Sequence, residues 1–175
     1  MNTTGQRGKM RRRAAVAACA VLAATFTGTT TGVGAAAEPR PGVLYLADAP
    51  PLEAHGNGAR GSAEVNGQVY PRSVIQYVTS SEAVNVFEYH LGRHWKSFLA
   101  TVGQRDDSPT GGTLSFEVSL DGTPVHRTEL TVGQSRNIAV NIAGAFRMKL
   151  TVTGPGPNGG IIYYGVWGNA QLTTS

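Results

Sequence analysis

Thr113-Leu114-Ser115-Phe116-Glu117-Val118-Ser119-Leu120-Asp121-Gly122 decides the fold of this 175-residue chain. Leu114, Phe116, Val118 and Leu120 point to one side, and Thr113, Ser115, Glu117 and Ser119 to the other. That period of two makes a half-buried strand. Asp121-Gly122 then supplies a two-residue hairpin turn, because both positions tolerate positive φ, and the return strand is expected near Val125.

The same period recurs on both sides of this stretch. Ile138, Val140 and Ile142 alternate with Asn137, Ala139 and Asn141, and Phe146, Met148, Leu150 and Val152 alternate with Arg147, Lys149 and Thr151. Phe98, Ala100 and Val102 repeat it less cleanly. Val69 and residues 73–78 precede them, behind an Asn66-Gly67 turn. Residues 83–91 are strand-like, but their apolar face shifts between Val86 and Phe87, which predicts a bulge. Residues 161–172 form a last strand rich in aromatic and branched side chains. Two Gly-rich stretches, 54–62 and 154–160, are expected as surface loops, and residues 38–51 as extended chain. No window after residue 37 carries a helical stripe. Many short strands between turns read as a β-sandwich or barrel.

The first 37 residues read differently. Arg7, Lys9, Arg11, Arg12 and Arg13 form a basic region, an Ala-rich apolar run follows, and Ala35-Ala36-Ala37 offers a cleavage site. This is the layout of a secretory signal peptide, with an apolar run too short to span a bilayer. The expected organisation is a signal peptide over 1–37 and one domain over 38–175, secreted and extracellular. Cys19 sits in a lipoprotein-like Val16-Ala17-Ala18-Cys19, but only five residues separate it from Arg13, so lipid anchoring is the minority reading. The precursor carries 15 Lys+Arg against 11 Asp+Glu, and five of the basic residues lie in the signal. What remains is ten against eleven, a net of −1. The basic charge therefore belongs to the export signal, and nothing in the domain points to nucleic acid. The only cysteine leaves as well, so no disulfide is available and the core must stabilise the domain.

Catalytic constellations are missing. His55, His90, His94 and His126 form no compact ligand pattern, there is no G-x-S-x-G elbow, and no carboxylate pair is marked as facing a cleft. Asp106-Asp107 is the one notable pair. It reads as a polar turn beside Ser108-Pro109, with a calcium or hydroxyl contact as the functional alternative. Trp95 and Trp167 read as core anchors. Tyr77, Tyr163 and Tyr164 could pack in the core or offer a flat face and a phenol to a sugar ring, and alternation lets only one of Tyr163 and Tyr164 face outward.

From about Val43 to Leu172 the order of features resembles the NPCBM/NEW2 family, the novel putative carbohydrate-binding module, which is related to carbohydrate-binding module family 51. The landmarks are Tyr45-Leu46-Ala47-Asp48, Val69-Tyr70, Tyr89-His90-Leu91-Gly92, Phe98-Leu99-Ala100-Thr101-Val102-Gly103, Asp106-Asp107, Gly112 to Val118, Asp121-Gly122, Val140 to Ala145, Leu150-Thr151-Val152, and Val166 to Leu172. The resemblance implies an all-β, galactose-binding-like jelly-roll β-sandwich with ligand loops at one end. It also implies a non-catalytic, secreted bacterial module that binds a glycan, with a glycoside hydrolase or cell-wall component as companion. On that reading Tyr77, Asp106, Asp107, Asn158, Tyr163 and Tyr164 supply the loop contacts. No cofactor is expected beyond the calcium alternative, and the metal ligands are unknown. The chain departs from the family where Ser73 to Val78 replace a Gly-rich segment ending in His-Ala. It departs again where Pro157 to Gly165 replace acidic residues before the Trp. The alternative is thus an extracellular structural or protein-interaction domain with a degenerate sugar site.

Overall fold

The computed structural model describes residues 42–79, 81–156 and 160–175. The stretch expected as a signal peptide, residues 1–37 with Cys19, and Asn158 lie outside the described residues. Eleven strands and one short 3-10 turn make up the rest: β1 Val43–Tyr45, the 3-10 turn Leu46–Asp48, β2 Glu53–His55, β3 Gly58–Val65, β4 Gln68–Val78, β5 Val84–His90, β6 Ser97–Gln104, β7 Leu114–Leu120, β8 Thr123–Leu130, β9 Ser135–Asn141, β10 Arg147–Thr153 and β11 Tyr163–Thr173.

They form two antiparallel sheets. One runs β3-β4-β11-β6-β9, with β1 paired to the far part of β11; the other runs β2-β5-β10-β7-β8. The faces turned toward each other carry the apolar halves of the alternating strands. Phe98, Ala100, Val102 and Trp167 from the first sheet meet Phe116, Val118, Leu150 and Val152 from the second. This is a β-sandwich with one main core. Trp167 is its centre, with the Phe116 ring edge-on at 5.5 Å and Phe98 at 6.2 Å. Trp95 is only partly buried against the same core. The two predicted turns form as expected: Asn66 and Gly67, and Asp121 and Gly122, all have positive φ, as type I′ hairpin turns require.

Three expectations need correction. No bulge interrupts β5, whose pairing with β10 is continuous from Val84 to His90. The alternation only looks broken because its inward position 85 is an asparagine. Residues 54–62 are not a loop but contribute β2 and the start of β3. The glycine at 58 serves close packing, since a Cβ there would lie 2.4 Å from the Ile75 carbonyl oxygen and 2.5 Å from the Phe87 ring. Phe146 stays 42 % exposed although Met148, Leu150 and Val152 are buried. It precedes β10, and its N–H is held by the Asp121 carboxylate.

The inward polar residues join the sheets. Trp167 Nε1–H donates to Gln76 Oε1 at 2.7 Å, and Gln76 Nε2 donates to the Asn85 Oδ1 and to the Leu150 carbonyl. Asn85 Nδ2 in turn donates to the carbonyls of Asn57 and Tyr77. A buried amide without such partners would cost about 1–3 kcal/mol, so the network is stabilising only as a complete set.

The outer face of the first sheet is also covered, in part. Beyond Ser73 the β3–β4 ribbon leaves the sheet, helped by a register shift between Gly61 and Ala63, and arches over β11 and β6. Tyr70 lies on Gly168 and Val65 on Gly103, positions where a Cβ would come within 2.7 Å and 2.4 Å of those side chains. Ala63, Val65, Tyr70, Ile75 and Val166 form a second small core under this ribbon. Asn66 Nδ2 donates to Ser135 Oγ, so the tip reaches β9.

Candidate functional site

Tyr77 and Tyr164 face each other as register partners at the adjoining ends of β4 and β11, on the outer face of the sheet. Alternation puts them there: their neighbours Val78 and Tyr163 point into the main core. Their rings meet edge to face, with centroids 5.3 Å apart and planes at 89°, the arrangement the ring quadrupoles favour. The Asn85 bond to its carbonyl fixes the Tyr77 backbone, and the Tyr77 N–H donates to Asn57 O at 2.8 Å.

Arg105 completes the cluster. It directly follows β6, its N–H donates to Tyr164 O at 3.0 Å, and its guanidinium lies 3.8 Å from the Tyr164 ring centroid. The same guanidinium forks onto Asp107, Nε to Oδ1 at 2.5 Å and Nη2 to Oδ2 at 2.9 Å. The Asp107 hydrogen bond raises the Arg105 pKa beyond its already high ordinary value, with partial burial opposing. The cation is permanent. Ser108 Oγ accepts from the Tyr164 N–H, and Gln104 Nε2 donates to Gly112 O and Leu130 O, so both ends of the 105–112 loop are pinned to the framework.

The expected site residues separate into three groups. Tyr77, Tyr164 and Asp107 come together, with Arg105 between them. Tyr163 is 4 % exposed in the core, against Gly112, so it is a packing residue and Tyr164 is the outward member of the pair. Asp106 points away toward the ribbon tip: Oδ1 accepts the Asn66 N–H at 2.6 Å and Oδ2 the Gly67 N–H at 2.7 Å. Asn158 is outside the described residues.

Arg105 is the residue that reading the sequence missed. The only local signal is the Arg105-Asp106-Asp107 triplet, in which a cation two residues before a carboxylate can fork onto it. The ring it stacks on lies 59 positions away and leaves no trace nearby.

The chemistry available here is recognition. Two phenols, a guanidinium edge and an exposed carboxylate can donate to and accept from hydroxyl groups beside aromatic surface. Both members of the carboxylate pair are already engaged by protein donors. Among the described residues no group of three or more His, Cys, Asp or Glu could hold a metal ion. No helix among them is long and apolar enough to cross a membrane.

No curated protein matches the chain. Solved structures do. A CBM51 domain from Clostridium perfringens GH95, in complex with methyl-galactose, superposes with a TM-score of 0.60 at 24 % identity, covering 75 % of this chain and 99 % of that one. The M60 catalytic domain of Clostridium perfringens ZmpB with its CBM51-1 and CBM51-2 domains gives 0.60 at 17 %, where the match spans 75 % of this chain and only 15 % of that longer one. CBM51-2 of the same ZmpB, solved with its INT domains and GlcNAc, gives 0.59 at 15 %, over 75 % of this chain and 31 % of that one. At these identities the likeness is one of fold, and it agrees with the two-sheet sandwich. The family model of the NPCBM/NEW2 domain matches residues 46–173, most of the chain and every strand but β1. This chain belongs to the NPCBM/NEW2 domain family.

Proposed function

We propose that this chain is a secreted, non-catalytic carbohydrate-binding module whose sugar site is the Tyr77, Tyr164, Arg105 and Asp107 cluster. The carrying observation is the Arg105 side chain, stacked on Tyr164 and forked onto Asp107. It holds two planar polar groups beside two phenols, at the end of the sandwich where the 105–112 loop leaves β6. Vicinal hydroxyls can bridge such a donor and acceptor, and the exposed parts of the Tyr rings can meet the apolar face of a pyranose. The solved relatives that carry methyl-galactose and GlcNAc support a sugar as the ligand class. Residues 1–37 act as the export signal on this reading, with cleavage after Ala37. On this reading Asp106 serves the ribbon tip and Asp107 serves Arg105, and binding does not draw on calcium.

A glycan array probed with the protein, followed by titration of galactose and N-acetylglucosamine derivatives, tests the reading. Binding is expected in the millimolar to micromolar range, weakened at least tenfold in Tyr77→Ala and Arg105→Ala. If no glycan binds at millimolar concentration, the sugar reading fails. The alternative that remains is an interaction domain, favoured by one observation: Arg105 already occupies a face of Tyr164.

A further inference from the structure

The ribbon divides the outer face of the six-stranded sheet. On the side away from Tyr77 and Tyr164 it leaves a trough of about 340 Å³ open over β11, β6 and β9, within the range of ligand sites. Pairing registers place Tyr45, Gln171, Leu99 and Ala139 in one row across β1, β11, β6 and β9, with Gly168, Thr101 and Asn137 in the next. Four strands at about 4.8 Å spacing make this row roughly 14 Å long.

The trough is shaped by an irregularity in β11. Its pairing with β6 breaks between Gly168 and Gln171, and Asn169 there has φ +47. Asn169 is held in this unusual conformation by its Oδ1, which accepts the Arg72 N–H from the ribbon at 3.2 Å. A non-glycine residue in the left-handed region persists only where its surroundings impose it. At one end, Tyr45 stands with the Arg72 guanidinium 4.6 Å from its ring centroid, and Arg72 is paired with Asp48.

The lining is uncharged. Thr101 Oγ1 donates to Asn137 Oδ1 at 2.7 Å. The Asn137 and Asn169 amide nitrogens and the whole Gln171 carboxamide make no hydrogen bond to another described residue. Leu99 and Ala139 form an aliphatic floor. Over β6 an extended peptide would find no backbone to pair with, because β6 is already paired on both sides, to β11 and β9; the open edge of β9 lies in the plane of the sheet and not on the face that forms the trough floor. A charged ligand would meet no charged residue in the lining itself, and the Arg72 and Asp48 side chains at the Tyr45 end are paired with each other. Paired donors and acceptors of carboxamides, above aliphatic surface and beside one tyrosine, suit a neutral chain dense in hydroxyls.

We propose that this trough is a second binding site, for an extended neutral glycan strand laid across β1, β11, β6 and β9. It is separate from the Tyr77 and Arg105 cluster and does not depend on it. With one aromatic ring in place of several, its affinity is expected in the millimolar range.

The test is a titration of the 15N-labelled protein with neutral hexasaccharides of β-1,4-linked galactose, glucose and N-acetylglucosamine, followed by NMR. At least one hexamer should shift the Leu99, Thr101, Asn137 and Gln171 resonances. Asn137→Ala/Gln171→Ala should weaken that response at least fivefold, and Ala139→Arg should block it by bulk, while responses at Tyr77 and Tyr164 persist in both. Should the trough resonances stay still to 20 mM of every hexamer while the loop cluster responds, the second site is refuted and the first stands. A trough that responds when the loops do not would overturn the first site alone. Silence at both refutes both, and a response that survives both trough variants refutes the trough.

Discussion

Asp106 has a carboxylate that the fold itself uses. Its two oxygens accept the Asn66 and Gly67 N–H groups across 40 and 39 positions of sequence, closing the tip of the ribbon onto the 105–108 loop. Asp106→Ala leaves both donors to water and is expected to cost about 1–3 kcal/mol in a denaturant titration, with little change in sugar binding. Gln76 is the buried counterpart. Gln76→Ala orphans the Trp167 N–H and the Asn85 amide oxygen, and the same titration should show a loss of about 2–4 kcal/mol. Neither role was legible. Alternation marks Val74 and Val78 as inward and says nothing of why a glutamine should sit between them, because its partners, Trp167 and Asn85, lie on other strands. Asp106 and Asp107 look alike in the sequence, yet adjacent residues of a loop diverge, one to the ribbon and one to Arg105.

The elements themselves were easier to read. Period-two runs at 98–102, 114–120, 138–142 and 148–152 became β6, β7, β9 and β10, because burial on one face of a strand needs only local alternation. The ribbon was not legible. Its landing sites are Gly103 and Gly168, and inside a strand a glycine signals only close approach, without naming what approaches. Gly103→Ala tests this element. The new methyl would lie 2.4 Å from Val65 Cγ1 and 2.7 Å from the Gln134 carbonyl oxygen, which is backbone and cannot swing aside. The ribbon must lift, at about 1–3 kcal/mol. The expected signature is faster hydrogen exchange at Asn66 and Gly67, with β7 and β10 unchanged. Unaltered exchange at those two amides would show that the ribbon is not seated on β6.

At the scale of the molecule, two carboxylates of the second sheet and its turn make the fold sensitive to acid. Glu88 is buried on its outer face. Burial pushes its carboxyl up, but hydrogen bonds and charge from Arg147 and Lys149, 2.7 and 3.1 Å away, outweigh this and hold it below the usual 4.5. Asp121, accepting the Phe146 and Arg147 N–H groups, is likewise held below 3.8. Because both folded values are depressed, the stabilisation is complete above the ordinary carboxylate range and disappears as the pH falls through the folded values. Melting temperature should therefore be flat near neutrality and drop below about pH 4.5. Asp121→Asn should lower it at pH 7 and cost progressively less as the pH falls below 3.8; a loss that stays constant with falling pH would count against the carboxylate's role. Calcium and chelator should leave melting unmoved, and a rise with calcium would restore the metal alternative for the 105–108 loop.

The ribbon also constrains the order in which the chain assembles. Its anchors join Asn66 to Asp106, Arg72 to Asn169 and Asn66 to Ser135, the second of these across 97 positions. The Ser135 and Asn169 anchors need β9 and β11 in place, so the ribbon is expected to seat fully only after those strands have joined the sheet. Such long loop closures place folding on the slow, millisecond-to-second side. They also mean that a nascent chain carries Tyr70 without its landing site, Gly168, until β11 has emerged.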